Sequence, residues 1–306
     1  MDLQNFSKDQ ANYFKEIEER AKTLLKDAEK KTNNSKYFFK SLFGPPIEFE
    51  EASEMVKQAA NLFKSIKQWN SAGKAFIKSA QLLLNNNRYS IMAASSFVDA
   101  ANVLKKVDSY EAINCLHNAI NIYIYIGNFN SAARCHVNIA DIYDKDILDI
   151  DKSIEHYEKA SDFYRGEGCN KLSNDCILQA ASLCVQKEDF IKAAYIFEQV
   201  GYDRMNCTML KYTCRQQFFY SVICNLCVDI LNAKLALERF KNAFPAFEDF
   251  RECKFIENIL MACDNEDVDM FTNTIREYDN ISKIDSMVVS MLLRVKKSIS
   301  ENKSLR

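Results

Sequence analysis

Trp69-Asn70-Ser71-Ala72-Gly73-Lys74-Ala75-Phe76-Ile77-Lys78-Ser79-Ala80 is the stretch on which the fold turns. An aromatic residue opens it, Ala72 follows, and Ala75, Phe76 and Ala80 continue a small-and-large face at helical spacing. The phrase returns along the chain. Tyr89, Tyr110 and Phe129 open the next segments, at separations of 20, 21 and 19 residues counted from Trp69. Ala93, Ala112 and Ala132 follow them, and Phe190 is followed by Ala193 and Ala194. Phe97, Ala100 and Ala101 repeat the mixed face. Small residues let two helices approach closely, and the large ones fill the hole opposite. A unit of about 20 residues is one helix plus a turn, so two units make a hairpin.

That period predicts an all-α fold, a tetratricopeptide-like right-handed helical-hairpin solenoid capped by a C-terminal helical bundle. The expected solenoid covers residues 1–230 and the bundle and tail 231–306, with Pro245 in Phe244-Pro245-Ala246-Phe247 marking the change. One segment argues against helix. Ile120-Asn121-Ile122-Tyr123-Ile124-Tyr125-Ile126 alternates like a β-strand. The stripe Ala112, Leu116, Ile120, Tyr123 overrides it, with Gly127 as the C-terminal cap. Toward the N-terminus a helix is predicted over 8–31, broken at Lys31–Lys36. An aromatic loop near 36–46 follows, closed by Gly44-Pro45-Pro46, and helix resumes near Glu48. A last helix is predicted over about 285–299.

Composition excludes much. Only 6 Gly and 3 Pro occur in 306 residues, where average usage gives roughly 21 and 15. No glycine-rich phosphate loop is present. The net charge of -2 gives no footing for nucleic acid. The longest apolar run, Val222 to Leu231, is interrupted by Asn225 and Asp229 and is too short to span a bilayer. The 11 Cys form no disulfide framework, so a cytoplasmic chain with reduced thiols is expected.

No catalytic constellation, metal site or cofactor motif emerges. Cys224-Asn225-Leu226-Cys227 lacks a second pair and reads as two small buried residues. His117, His136 and His156 fall in what read as unrelated helical units. An enzyme subunit built on helical hairpins is a rival without positive support, and a tetratricopeptide co-chaperone is a nearer one. Phe38, Phe39, Leu42 and Phe43, flanked by Lys36 and Lys40, fit either a loop folded on the first hairpin or a finger touching anionic lipid. Basic residues recur near helix ends, including Lys67, Lys105, Lys106, Arg134, Arg165, Lys211 and Arg215. They are either a solvated face or, along one face of a solenoid, a grip for an elongated acidic partner. Residues 248–279 carry 10 acidic and 3 basic side chains.

The sequence resembles the alpha/beta-type soluble NSF attachment proteins over nearly its whole length. The resemblance is carried by Phe38-Phe39-Lys40-Ser41-Leu42-Phe43-Gly44, Ala112-Ile113-Asn114-Cys115-Leu116, Ser153-Ile154-Glu155-His156-Tyr157-Glu158, Leu231-Asn232-Ala233-Lys234-Leu235-Ala236, Met291-Leu292-Leu293-Arg294-Val295-Lys296-Lys297 and the ending Leu305-Arg306. It implies a non-catalytic adaptor, monomeric when free and peripherally associated with membranes. Such an adaptor binds the SNARE four-helix bundle, including syntaxin-type SNAREs, and stimulates the hexameric ATPase NSF to take the bundle apart. By this resemblance Phe38, Phe39, Leu42 and Phe43 contact the membrane, and Lys67, Lys105, Lys106, Arg134, Arg165, Lys211 and Arg215 contact the SNAREs. Asp229, Asp264 and Leu305 likewise face NSF. Asp175 and Gln179 depart from it, standing where typical members carry Lys, and Glu301-Asn302-Lys303-Ser304 replaces an acidic run before Leu305.

Overall fold

In the computed structural model the described residues are 2–38, 48–84, 87–207 and 211–304; they form fourteen α-helices and no strand. Their contacts divide the chain into two compact units, Met1–Asn170 and Lys171–Arg306.

The first unit contains α1 (Asp2–Phe38), α2 (Glu48–Ser65), α3 (Trp69–Leu83), α4 (Ser90–Leu104), α5 (Ser109–Tyr125), α6 (Phe129–Ile142) and α7 (Ile150–Gly166). Each packs on the helix before it, which is the arrangement of stacked tetratricopeptide-like hairpins. The repeated alanines sit where the helices touch: Ala72, Ala93, Ala112 and Ala132 are all 0% exposed. Trp69 and Phe129 are the first residues of α3 and α6, and Tyr110 is the second of α5. The strand-like run from Ile120 is helical because Ala112, Leu116, Ile120 and Tyr123 are buried along one side of α5. Gly127, at φ 74°, then ends the element as the sequence predicts.

One turn design recurs. Lys67, Gly127, Gly168, Glu188 and Glu266 all have positive φ. Each donates its N–H to the carbonyl three residues back, and the following residue donates to the carbonyl five back, as in Gly127→Ile124 and Asn128→Tyr123. This Schellman pairing satisfies orphan carbonyls at the helix end. The next residue often caps the following helix: Asn128, Asp189 and Asp267 accept from Ser131, Lys192 and Met270 N–H. Caps and turns of this kind let helix follow helix with almost no loop.

The second unit contains α8 (Asn170–Gln186), α9 (Phe190–Met205), α10 (Cys214–Val228), α11 (Ile230–Ala243), α12 (Arg251–Asp264), α13 (Val268–Ile281) and α14 (Ser286–Ser304). α10 is its axis, packed against α9, α11, α12 and α14. Phe218 of α10 stacks on Phe240 at 4.3 Å between ring centroids and meets Phe247 edge-on at 5.9 Å. Gly201 of α9 lies over the same ring, so close that a Cβ there would come within 2.5 Å of Phe218. Pro245 opens the 3-10 turn Pro245–Asp249 that delivers Phe247 to this core.

Two helix ends correct the sequence reading. α1 does not break at Lys31–Lys36 but continues to Phe38. Lys31 pairs with Glu51 of α2 and Thr32 is buried, so tertiary contacts hold a polar turn that lacks an apolar stripe. α14 likewise runs past 299 to Ser304.

Candidate functional site

The basic residues fall into distinct groups. Lys67 occupies the turn between α2 and α3, and Lys105 and Lys106 the turn between α4 and α5. Successive helices alternate in direction, so both turns lie at the same end of the first unit. Contact proves it: Lys106 Nζ sits 3.9 Å from the centroid of the Trp69 ring. Arg165, in the last turn of α7, and Arg134, in the second turn of α6, belong to the other end. There Asn130 Nδ2 donates to Glu167 at 3.1 Å, joining the start of α6 to the end of α7. In the second unit Lys211 lies 5.4 Å from the Phe244 ring centroid, and Arg215 pairs with Glu252 at 3.4 Å.

All seven are exposed. Lys67, Lys105, Arg134 and Arg165 make no ion pair among the described residues, so their charge is available to a partner. Lys105, the C-cap of α4, and Arg165 also stand at helix carboxyl ends, where a cation is favoured by the helix dipole. A groove of about 330 Å³ beside Lys105 and Lys106 adds Asp141, Lys145 and Asp146, which the sequence reading did not single out. Lys145 follows Lys105 by 40 residues, the hairpin period, which is the signal that finds it.

The acidic residues are more committed locally. Asp229 caps α11, its Oδ1 accepting from Asn232 N–H at 2.7 Å. Asp264 ends α12 and pairs with Lys234 of α11 at 2.6 Å. Of the surrounding acids, Glu252, Glu257 and Asp279 pair with Arg215, Lys241 and Lys283. Glu248, Asp249, Asp269 and Glu277 are exposed and without an ion pair among the described residues. Asp175 and Gln179 are both exposed, four residues apart on α8. The loop residues Phe39, Leu42 and Phe43 lie outside the described residues, as do the side chain of Phe38 and Leu305.

The histidines require a correction. They are not in unrelated units but on consecutive helices, α5, α6 and α7. His136 and His156 are buried with their Nδ1 atoms 2.9 Å apart, and the His117 ring lies 5.7 Å from His156. Their spacings of 19 and 20 residues match the repeat, so equivalent positions of stacked helices meet. Burial pushes His136 and His156 down to about 4, helped for His136 by the neighbouring His156. Both are therefore neutral near pH 7, with one Nδ1 donating and the other accepting. The C-x-x-C pair is structural packing: Cys224 Sγ lies 3.7 Å from Met291 Sδ, and burial pushes the Cys227 thiol up to about 12. No cluster of three His, Cys, Asp or Glu suited to a metal occurs among the described residues. No described helix is long and apolar enough to cross a membrane.

Known proteins are similar in sequence to this chain. The family model described as soluble NSF attachment protein, SNAP, matches residues 19–300. A soluble NSF attachment protein homolog of Fowlpox virus is 57% identical over 87% of this chain and 95% of its own. The alpha-soluble NSF attachment protein of Homo sapiens is 45% identical over 94% of this chain and 97% of its own. The vesicular-fusion protein SEC17 of Komagataella phaffii is 31% identical over 84% of this chain and 87% of its own. A match across almost the full helical array, with high identity to several relatives, means that the chain belongs to the soluble NSF attachment protein family.

Proposed function

We propose that this protein is a non-catalytic adaptor that binds assembled SNARE complexes at membranes, recruits NSF and stimulates disassembly of the complex in vesicle-mediated transport and membrane fusion. The observation that carries the reading is the family match over residues 19–300. The exposed cations of both units fit an acidic coiled coil, and screening of such charges makes the grip salt-sensitive. In this reading the hairpin array extends through residues 1–230 and the bundle through 231–306. Lys67, Lys105, Lys106, Arg134, Arg165, Lys211 and Arg215 hold the SNARE bundle; Asp229, Asp264 and Leu305 engage NSF. The apolar loop, with Phe38, Phe39, Leu42 and Phe43, holds a cytoplasmic protein against the membrane. Contacts of this kind are individually weak and combine by avidity.

The test is ATP-dependent disassembly of a preformed SNARE bundle by NSF, followed by loss of energy transfer between labelled SNAREs. Disassembly is expected with the protein and not without it, and the Leu305→Ala variant is expected to bind the bundle yet fail to drive NSF. A wild-type protein that does not bind the bundle at all overturns the reading.

A further inference from the structure

The turns of the first unit differ sharply in charge between its two ends. At the end that bears Lys67, the turn from α4 to α5 carries Lys105, Lys106, Asp108 and Glu111 within residues 104–111. At the opposite end, the turns from α3 to α4 and from α5 to α6 are almost bare of charge. Residues 79–98 hold one charged side chain, Arg88, and residues 112–133 hold none, in a chain where 27% of residues are charged. What reaches solvent there is apolar. Ile91 is 61% and Tyr125 75% exposed, and Leu84, Met92 and Ile124 are exposed as well. Single exposed apolar side chains are ordinary, but five at one end of a helical array, with hardly a charge among them, mark a docking surface.

Contacts join the two turns. Leu84, the C-cap of α3, and Ile122, near the end of α5, line one groove of about 490 Å³. Tyr89, the residue before α4, donates its hydroxyl hydrogen to Glu50 Oε2 in the first turn of α2 at 2.6 Å. Lys31 of α1 pairs with Glu51 of α2. The charge-poor end therefore adjoins the close of α1 and the start of α2, between which residues 39–47 are attached.

These features suit a lipid surface. Carrying a charged side chain to the edge of a hydrocarbon layer costs desolvation, and the two turns hold only one to carry. That one is cationic, the sign that suits a phosphate headgroup. Tyr125 has an apolar ring and a polar tip, the combination favoured at the headgroup–acyl boundary. The segment already assigned to the membrane springs from the same end, so one bilayer can meet both. We propose that the charge-poor end of the first unit is itself a lipid-contacting surface, with Leu84, Ile91, Met92, Ile124 and Tyr125 entering the headgroup–acyl boundary of a bilayer. This rests on the reading that the protein works at membranes, and extends it from one loop to a folded surface.

The test is flotation of the full chain with phosphatidylcholine/phosphatidylserine vesicles, comparing wild type, Ile91→Gln/Met92→Gln/Tyr125→Gln and Phe39→Ser/Phe43→Ser. The triple variant is expected to partition about tenfold less than wild type with its loop intact. Its three sites are exposed, so its melting temperature should not change. Its affinity for a SNARE bundle in solution should not change either, since Arg134 and Arg165 are retained. The one tryptophan, Trp69, lies at the far end, so brominated lipid is expected to quench Tyr125→Trp well beyond wild type. Unaltered flotation of the triple variant, with loss in Phe39→Ser/Phe43→Ser, overturns the proposal and leaves the loop reading standing. The converse result supports the surface and removes the loop, and losses in both variants support both. Equal quenching of Tyr125→Trp and wild type on vesicles overturns the proposal. A triple variant that loses SNARE-bundle affinity, or that dissociates a wild-type dimer, shows that protein covers this face and likewise overturns it. A wild type that floats with no vesicle overturns the surface and the membrane reading together.

Discussion

At Asp229 a single carboxylate caps α11 and, in the proposed function, also faces NSF. The two roles separate by substitution. Asp229→Ala removes the cap and should lower stability by about 1 kcal/mol, whereas Asp229→Asn keeps an acceptor and should melt within a few tenths of a kcal/mol of wild type. NSF recruitment is expected to weaken in both, which a pull-down with NSF and a thermal melt check together. The buried pair His136 and His156 sets a pH dependence at the same scale. Both are held down at about 4 against an ordinary 6.5, so between those values the unfolded chain binds more protons than the folded one. Stability is therefore fully present above about pH 6.5 and is lost as pH falls toward 4, by about 2 kcal/mol per histidine at pH 5. A melting series from pH 7 to pH 5 should fall steeply for wild type and flatten in His136→Leu/His156→Leu.

At the scale of elements, close approach and turn geometry decide what substitutions cost. Gly201 lets α9 lie on the Phe218 ring that stacks with Phe240. Gly201→Ala pushes that stack apart in a filled core, and a loss of about 1–3 kcal/mol is expected in chemical denaturation. At Gly127 the space is open, since an added Cβ meets nothing within 4 Å, but φ is 74°. Gly127→Ala should therefore cost only the left-handed strain, about 1–2 kcal/mol. Lys67 holds the same conformation without being glycine, at φ 60°. Lys67→Gly consequently removes the proposed SNARE contact while keeping the turn, so a loss of bundle affinity at unchanged melting temperature is the expected result.

At the scale of the whole molecule, the proposed SNARE contacts form separate groups, and within the first unit they occupy opposite ends of the helical stack. Lys105→Glu/Lys106→Glu and Arg134→Glu/Arg165→Glu are expected each to weaken SNARE-bundle binding and to flatten its salt dependence. Their effects should add, because the two pairs share no partner. Binding measured at low and high salt checks this; an affinity independent of salt would rule out electrostatic gripping.

Local spacing was enough to read the helices and their period from Trp69, Ala72 and their repeats, because a buried face at helical spacing is a property of neighbouring residues. The family followed from long uninterrupted runs such as Met291–Lys297. The same information could not end α1 or α14 correctly, since polar turns near Thr32 and Ser300 carry no periodic signal of their own. The candidate contacts were legible as charges near helix ends, but not their grouping, which depends on alternating helix direction and on Lys106 reaching Trp69. Nor could sequence alone assemble the histidine pair across α6 and α7, or bring the charge-poor turns that follow α3 and α5 to one end of the first unit. Residues decide which face of a helix is buried; only the packing of distant helices decides what that face meets.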